Sequence, residues 1–440
     1  MSNAARLLLP RYLLPVRPAR TVREHWAVRV VGERIDAVLP QSEALARYPD
    51  DERVPLERHL LMPGMMNMHT HSPMVLLRGY ADDLPLKDWL EQHIWPAEAR
   101  WVDAEFVRQG AELAIAEMLR GGTTCFSEQY FFPDEIAAAA RSAGIRAVVG
   151  VPVIDVATRW ASGVTDCLAR AEALAADWAG DSLVRVALAP HALYTVDDDG
   201  LAAVARMSAE RDLPVSMHVL EAAWEIRHSE QQYGEGALRR LQRVGLLDER
   251  FMAVHMVHLG EDDIERLAQR GVHVVHCPES NLKLSSGVSP VADLLGAGVN
   301  LGLGTDGAAA NNDLDLLGEL RTAALLAKGV SGDPSVLDAW QALELVTINA
   351  ARALGADSEL GSVEPGKLAD LAALDLSWPE TQPLHHVHSQ VVYAASRRQF
   401  TDVWVAGRRL LSGGELTTLD LDAVLARAQE WSERMLEEAA

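Results

Sequence analysis

Cysteine is scarce in this sequence, and the few cysteines present lie far apart. The 440 residues contain three of them, Cys125, Cys167 and Cys277, and none forms a CxxC pair. A small, odd and widely spaced set argues against a disulfide framework and against a thiolate zinc site. A reducing compartment, and hence the cytoplasm, is the expected location.

Long apolar runs and excess basic charge are also absent. The N-terminal stretch MSNAARLLLPRYLLPVRPAR is broken by Pro10, Arg11 and Pro15, so we expect neither a signal peptide nor a membrane span there. No later segment reaches about 18 uninterrupted apolar residues. The formal net charge of −23 repels phosphate backbones, so nucleic acid is not an expected partner. The chain is longer than one core usually serves, unless the fold is a large barrel with an accessory domain.

What the sequence does contain is an alternation of short, β-rich apolar runs with longer stretches of helical character, such as PDEIAAAARSAG and EDDIERLAQRG. This alternation predicts an α/β fold built from βα units around a parallel sheet. Eight strands separated by helices indicate a (β/α)₈ TIM-type barrel. The predicted strands are 65–69, 123–128, 146–151, 184–190, 214–219, 252–257, 272–277 and 300–305.

The two ends of the chain lack this alternation. Residues 1–62 and 363–415 read as short strands and turns, and the two pieces are predicted to pair into one small composite β-sandwich domain beside the barrel. The barrel itself is predicted to span 63–362. The last stretch, 416–440, has the pattern of an amphipathic helix.

Polar side chains lie at the predicted strand ends, where barrel enzymes place their chemistry. His69 and His71 end strand one and share a face, because side chains two apart on a strand point the same way. Imidazole is the commonest metal-binding side chain, although a single strand-end histidine is more often structural. The joint pattern predicts a metal site, since further imidazole or carboxylate groups converge on the same mouth. These groups are His191 after strand four, His218 and Glu221 at strand five, His255 at strand six and Asp306 after strand eight; His258 and His276 are interpreted as structural.

This constellation resembles the amidohydrolase superfamily, through PGMMNMHTH, HxxE at strand five, TDG at strand eight and GSVEPGKLADLAALD near the C-terminus. Binuclear members usually carry a carboxylated lysine at the end of strand four, whereas strand four here reads VALAPHAL. The resemblance therefore implies one metal ion per chain, held by His69, His71, His218 and Asp306. Zinc is the expected ion, and iron also suits nitrogen and oxygen ligands of this kind.

A closer resemblance, carried by HTHSPMVLLRGYADDLPLKDWLEQHIWPAEARW, is to the 5-methylthioadenosine/S-adenosylhomocysteine deaminases. It implies that Glu98 holds the ribose hydroxyls, that His191 binds the purine and that Arg159 meets the homocysteine carboxylate. Trp89 and Trp95 could wall this pocket or serve as core residues. The family often has a serine at the position of Ala310, so a substrate hydrogen bond could be missing here. Homo-oligomers are common in such families, but the sequence shows no interface.

The resemblance also implies catalytic roles. Glu221 would bridge purine N1 and the attacking water as acid and base, His255 would orient the water, and Asp306 would relay its proton to the leaving ammonia. Structural alternatives exist for each, such as a helix-start carboxylate for Glu221 and a helix N-cap for Asp306. The expected activity is zinc-dependent deamination of 5′-modified adenosines: 5′-methylthioadenosine, S-adenosylhomocysteine or adenosine. The alternatives are an amidohydrolase acting on guanine, 8-oxoguanine or a chlorotriazine, and a degenerate barrel without activity.

Overall fold

The computed structural model describes residues 5–437, so residues 1–4 of the predicted N-terminal piece and 438–440 of the predicted final helix lie outside the described residues. The described chain contains two sheets. Its strands are β1 Ala5–Leu13, β2 Arg23–Glu24, β3 Trp26–Val31, β4 Arg34–Pro40, β5 Glu52–Pro63, β6 Met65–Thr70, β7 Thr123–Gln129, β8 Arg146–Val153, β9 Val184–Pro190, β10 Val215–Val219, β11 Phe251–His255, β12 His273–His276, β13 Asn300–Leu303, β14 Leu371–Asp375, β15 Phe400–Val405, β16 Arg408–Ser412 and β17 Glu415–Leu416.

Helices connect most of these strands. They are α1 Gln41–Arg47, α2 Leu86–Trp89, α3 Trp95–Trp101, α4 Ala104–Arg120, α5 Pro133–Ala143, α6 Val164–Asp177, α7 Asp198–Arg211, α8 Ala223–Tyr233, α9 Ala237–Val244, α10 Glu261–Arg270, α11 Pro278–Lys283, α12 Val291–Gly296, α13 Ala308–Asn311, α14 Leu316–Ser331, α15 Ala339–Leu345, α16 Ile348–Ala353, α17 Val387–Tyr393 and α18 Leu421–Glu437. The termini of α4 follow ordinary capping chemistry, because Asp103 accepts a hydrogen bond from the Phe106 N–H and Gly121 follows the last residue. No helix among the described residues is long and apolar enough to cross a membrane.

Strands β6 to β13 form one parallel sheet in sequential order. Side-chain and backbone hydrogen bonds join its last strand region to its first: Thr305 N donates to Asn67 Oδ1 at 3.0 Å and Asp306 N donates to the His69 carbonyl at 3.0 Å. Gly304 permits this approach, since a Cβ there would lie 2.6 Å from the His69 Cβ. The predicted (β/α)₈ barrel is confirmed.

The second sheet takes strands from both ends of the chain, in the order β17-β16-β15-β14-β5-β1-β3-β4, with β2 pairing with β1. Strand β14 pairs antiparallel with β5, directly before the first barrel strand. The predicted composite β-domain is therefore confirmed as an architecture. The residue boundaries given above for the domains stay predictions.

Three barrel strands end earlier than the apolar pattern predicts, at His255, His276 and Leu303. The backbone leaves the extended region near two of these ends, because His255 and Asp306 have φ values of 73° and 61°. Positive φ is uncommon for residues other than glycine and often marks a functional constraint. Both residues belong to the site described next.

Candidate active site

The first two histidines lie at the C-terminal end of β6. The pairing of β6 with β7 shifts register between Asn67 and Thr70, and such an irregularity re-aims the side chains beside it. The Nε2 atoms of His69 and His71 lie 3.5 and 3.2 Å from Asp306 Oδ1. Strands one and eight therefore bring the predicted ligands together.

His218, at the end of β10, completes this cluster. Its Nε2 lies 3.2 Å from His69 Nε2 and 3.3 Å from His71 Nε2. The Nδ1 atom of His218 contacts the carbonyl of His191 at 2.6 Å, and that of His71 contacts the carbonyl of Gln129 at 2.5 Å. Because a carbonyl only accepts, both rings carry a proton on Nδ1, and the Nε2 atoms of both rings face the same point.

Ring nitrogens and a carboxylate that converge in this way need a proton or a metal ion between them. Ligand atoms within 4.8 Å of one another form two overlapping groups, His69 with His71 and Asp306, and His69 with His218 and His255. Three imidazole nitrogens and one carboxylate oxygen suit a divalent ion with nitrogen and oxygen ligands. We call His69, His71, His218, Glu221, His255 and Asp306 the strand-end group.

Asp306 is buried and held on two sides. Ser280 Oγ donates to its Oδ2 at 2.6 Å, and the Gly307 N–H donates to its Oδ1 at 2.8 Å. Burial alone would raise the pKa of this carboxyl, but His69 and His71 hold the pKa well below its ordinary value. Asp306 is thus an oriented carboxylate anion.

Glu221 and His255 face each other across the mouth, with Glu221 Oε2 3.6 Å from His255 Nε2. Ser286 Oγ donates to Glu221 Oε1 at 3.3 Å. Burial, and then the charge of Asp306, raise the pKa of Glu221 to about 8. His255 Nδ1 contacts Asn281 Oδ1 at 2.9 Å, which leaves Nε2 as an acceptor facing the mouth. The group therefore pairs an ionised carboxylate with a carboxyl that holds a proton at neutral pH.

A cavity of about 600 Å³ opens onto this group. His191 lines it, with its ring 5.1 Å from the ring of His218 and its Nδ1 3.0 Å from Thr195 Oγ1. Burial lowers the pKa of His191 to about 4, so its ring is neutral. A neutral ring beside the strand-end group can accept a hydrogen bond from a bound heterocycle or donate one to it.

Another part of the cavity lining comes from segment 72–101, which we call the cavity wall. After a short 3₁₀ turn, α2, a π-helical turn at Leu90–Ile94 and α3 follow one another. Glu98 projects from α3 into the cavity, and burial raises its pKa to about 7. Trp89 is anchored by a hydrogen bond from its Nε1 to the Ala81 carbonyl at 3.1 Å, whereas Trp95 is 37 % exposed at the cavity.

Two further positions predicted to affect substrate binding lie at the rim of the cavity or outside its lining. Arg159 lines the rim and is exposed; it donates to the Arg100 carbonyl at 3.0 Å and lies 3.8 Å from Asp103 Oδ2. Ala310 is buried on α13 and is not among the residues lining the described cavity.

Several residues of the site could not be picked out from the sequence. Ser280 and Asn281, on α11, orient Asp306 and His255. Glu128 is buried and accepts the Ser72 N–H and the Thr70 hydroxyl, which fixes the turn after His71. The available signal was polar sequence at or just after a strand end, SEQY at the end of strand two and PESN after strand seven.

The two histidines interpreted as structural lie apart from the ligand clusters. His258 Nε2 contacts the Ser286 carbonyl at 2.8 Å. His276 is buried, and neither of its ring nitrogens has a hydrogen-bond partner among the described residues.

A hydrolase that works with a bound metal ion is the class of protein that this fold and this site define. Residues 60–410 match the amidohydrolase family. The 5-methylthioadenosine/S-adenosylhomocysteine deaminase of Teredinibacter turnerae is 44 % identical over 96 % of both chains. The chain belongs to the amidohydrolase family and, within it, to the 5-methylthioadenosine/S-adenosylhomocysteine deaminase family.

Solved structures show the same fold. The crystal structure of an adenosine deaminase from Xanthomonas campestris with bound zinc is 50 % identical, covers 99 % of both chains and superposes with a TM-score of 0.97. Atrazine chlorohydrolase from Arthrobacter aurescens, complexed with zinc, has a TM-score of 0.90 over 97 % of this chain and 99 % of its own. That enzyme is 23 % identical, so its likeness bears on the fold alone.

Proposed function

We propose that this protein is a zinc-dependent deaminase of 5′-modified adenosines, including 5′-methylthioadenosine and S-adenosylhomocysteine, which converts the purine 6-amino group to an oxo group and releases ammonia. The observation that supports this proposal most strongly is the buried Glu221 carboxyl, held between His255 and Ser286 at the edge of the metal-ligand cluster. Hydrolytic deamination requires a proton donor at the ring and a base for the water. The carboxyl groups of Glu221 and Asp306 can supply both.

The ion would be held by His69, His71, His218 and Asp306. A bound divalent ion lowers the pKa of a coordinated water towards neutrality and so supplies the nucleophile at neutral pH. The adenosine deaminase from Xanthomonas campestris contains bound zinc, and the imidazole and carboxylate ligands of this chain suit the same ion.

Glu221 is the proposed proton donor to purine N1. Burial raises its pKa to about 8, and this environment favours the protonated carboxyl near neutral pH. Donation to N1 makes C6 electrophilic and leaves a carboxylate that can accept a proton from the attacking water.

Asp306 and His255 are proposed to handle the water and the leaving group. Asp306 is anionic, so it can accept a water proton and pass it to the departing amine. His255 Nε2, left as an acceptor by the Asn281 contact, would orient the water towards C6. Ser280, Gly307 and Asn281 position these two side chains, and they need not touch the substrate.

Glu98 and His191 are proposed to place the nucleoside. Glu98 would accept hydrogen bonds from the ribose hydroxyls, and His191 would contact the purine. Arg159, at the rim, would meet the carboxylate of a homocysteine substituent. The apolar surface of the cavity wall, including Leu86, Trp89 and Ile94, suits a thioether.

The experiment that tests this proposal is ammonia release by the zinc-loaded protein with a panel of 5′-methylthioadenosine, S-adenosylhomocysteine, adenosine, adenine, guanine and 8-oxoguanine. Turnover of the nucleosides without turnover of the free bases is expected. Turnover of a free base alone would keep the metal chemistry and reject the proposed substrate class. Release from none of the six would reject deamination of purines.

A further inference from the structure

Tyr130 is a buried polar residue for which the proposed reaction has no use. It follows the last residue of β7, lines the active-site cavity and is 4 % exposed. Its ring lies 6.2 Å from the ring of His71 and 5.5 Å from that of Phe131. The side chain therefore lies beside His71 of the strand-end group and faces the active-site cavity.

The hydroxyl of Tyr130 has no partner with hydrogen-bond geometry among the described residues, although the Glu98 carboxyl lies near enough to interact with it. A buried hydroxyl without a partner destabilises a protein, and native structures contain few of them unless a ligand or a function requires it. Burial, and then the Glu98 carboxyl, raise the pKa of Tyr130 well above its ordinary value, so the hydroxyl keeps its proton and remains a donor.

A ribose diol needs both hydrogen-bond donors and hydrogen-bond acceptors around it. Each of its hydroxyls offers one donor and two acceptor positions, whereas an ionised carboxylate only accepts. Glu98 alone can therefore satisfy the hydroxyl protons but not the hydroxyl oxygens. An oriented O–H group beside Glu98 would supply the missing donor to a ribose hydroxyl oxygen.

We infer that Tyr130 is a further substrate-binding residue, whose hydroxyl donates a hydrogen bond to a ribose hydroxyl oxygen while Glu98 accepts from the diol. The inference rests on the proposed function, because it assumes a nucleoside in this cavity. It adds a second ribose contact, and it makes the chain selective for ribonucleosides through two side chains from different elements, the end of β7 and helix α3.

The test compares the wild type with Tyr130→Phe on 5′-methylthioadenosine and on its 2′,3′-dideoxy analogue. Loss of one hydrogen bond should lower kcat/KM for the ribonucleoside about ten-fold. The dideoxy analogue lacks the hydroxyl oxygens, so its kcat/KM should change by less than about two-fold. The ratio of the two constants within one preparation cancels differences in the fraction of active protein.

Tyr393→Phe is the matched control, because it removes a hydroxyl from a partly buried tyrosine outside the cavity. It should leave the substrate ratio unchanged. Tyr130→Phe should also unfold at the wild-type temperature or above, since the hydroxyl it removes makes no well-formed hydrogen bond in the free protein. A clear fall in Tm, or a failure to fold, would mean that the hydroxyl is bound within the protein and would overturn the inference.

Two kinetic outcomes would overturn it as well: an equal loss of kcat/KM on both substrates, which marks a purely structural role, or no loss on either. Absence of turnover by the wild type on both substrates would reject the proposed function itself and the inference with it. Normal wild-type turnover with an unchanged ratio in Tyr130→Phe would reject the Tyr130 contact alone.

Discussion

The strand-end group and the cavity wall face the same cavity but are built in different ways. Members of the strand-end group lie at the ends of barrel strands or directly after them, and their rings and carboxylates are fixed by backbone carbonyls, Ser280 and Asn281. The cavity wall is a single connection of short helical turns that carries an exposed tryptophan and a partly buried glutamate. On the proposed roles, the chemistry depends on the barrel strands, whereas the choice of substrate depends on the connections between them.

If this division holds, the largest effect should come from removing a ligand. His218→Ala should abolish tight metal binding and lower kcat by about 10³-fold or more, since several kcal/mol of transition-state stabilisation are lost. Metal analysis of the purified variant, together with the ammonia assay, measures both. His273→Asn is the control, because His273 begins β12 at the other end of the barrel. A His218→Ala variant that still binds metal and remains active would contradict the ligand assignment.

The next largest effect should separate chemistry from metal binding. Glu221→Gln cannot donate a proton to N1 or accept one from water, so kcat should fall about 10²- to 10⁴-fold while the metal stays bound. Glu225→Gln is the comparison, because the nearby Glu225 is also buried but accepts the N–H groups of Leu220 and Ala222. Equal losses of kcat in the two variants would argue against a specific role for Glu221.

Recognition of the ribose diol by Glu98, on the cavity wall, should depend on pH. The pKa of Glu98 is raised to about 7, so the carboxyl is protonated below this pH and becomes an acceptor for the diol as the pH rises through it. The ratio of kcat/KM for 5′-methylthioadenosine to that for its dideoxy analogue should therefore rise between about pH 5.5 and 8, by about ten-fold. In Glu98→Gln the ratio should be flat, and a flat ratio in the wild type would remove Glu98 from ribose recognition.

The smallest effect is expected at the rim. Arg159 is exposed and its ion pair with Asp103 is long, and exposed pairs contribute little to stability. Arg159→Ala should change kcat/KM for 5′-methylthioadenosine by less than about two-fold but raise KM for S-adenosylhomocysteine about five-fold, through loss of a charge-assisted contact. Arg141→Ala, which removes another exposed arginine with an aspartate partner, should change neither constant; equal effects of Arg159→Ala on both substrates would contradict a contact with the carboxylate.

The same division explains which features of the fold and the site could be predicted from the sequence. The barrel was predictable because short apolar runs alternate regularly with helical stretches, and the composite β-domain because both ends of the chain lack that alternation. The metal site was predictable because its histidines and Asp306 lie at or just after the ends of predicted strands. The contact of Asn281 with His255 was not predictable, since it depends on how the short helix α11 packs against the end of β11. Nor could the early end of β11 be predicted, because positive φ at His255 and Met256 takes the backbone out of the extended conformation although the apolar pattern continues.

The most direct test of the central claim is a zinc titration of protein freed of metal by chelation, followed by deamination of 5′-methylthioadenosine. The account predicts no activity without metal, a linear rise on addition of zinc and a plateau at one ion per chain. Activity that survives complete removal of the metal, or that first appears after a second equivalent, would contradict a mononuclear site at the strand ends.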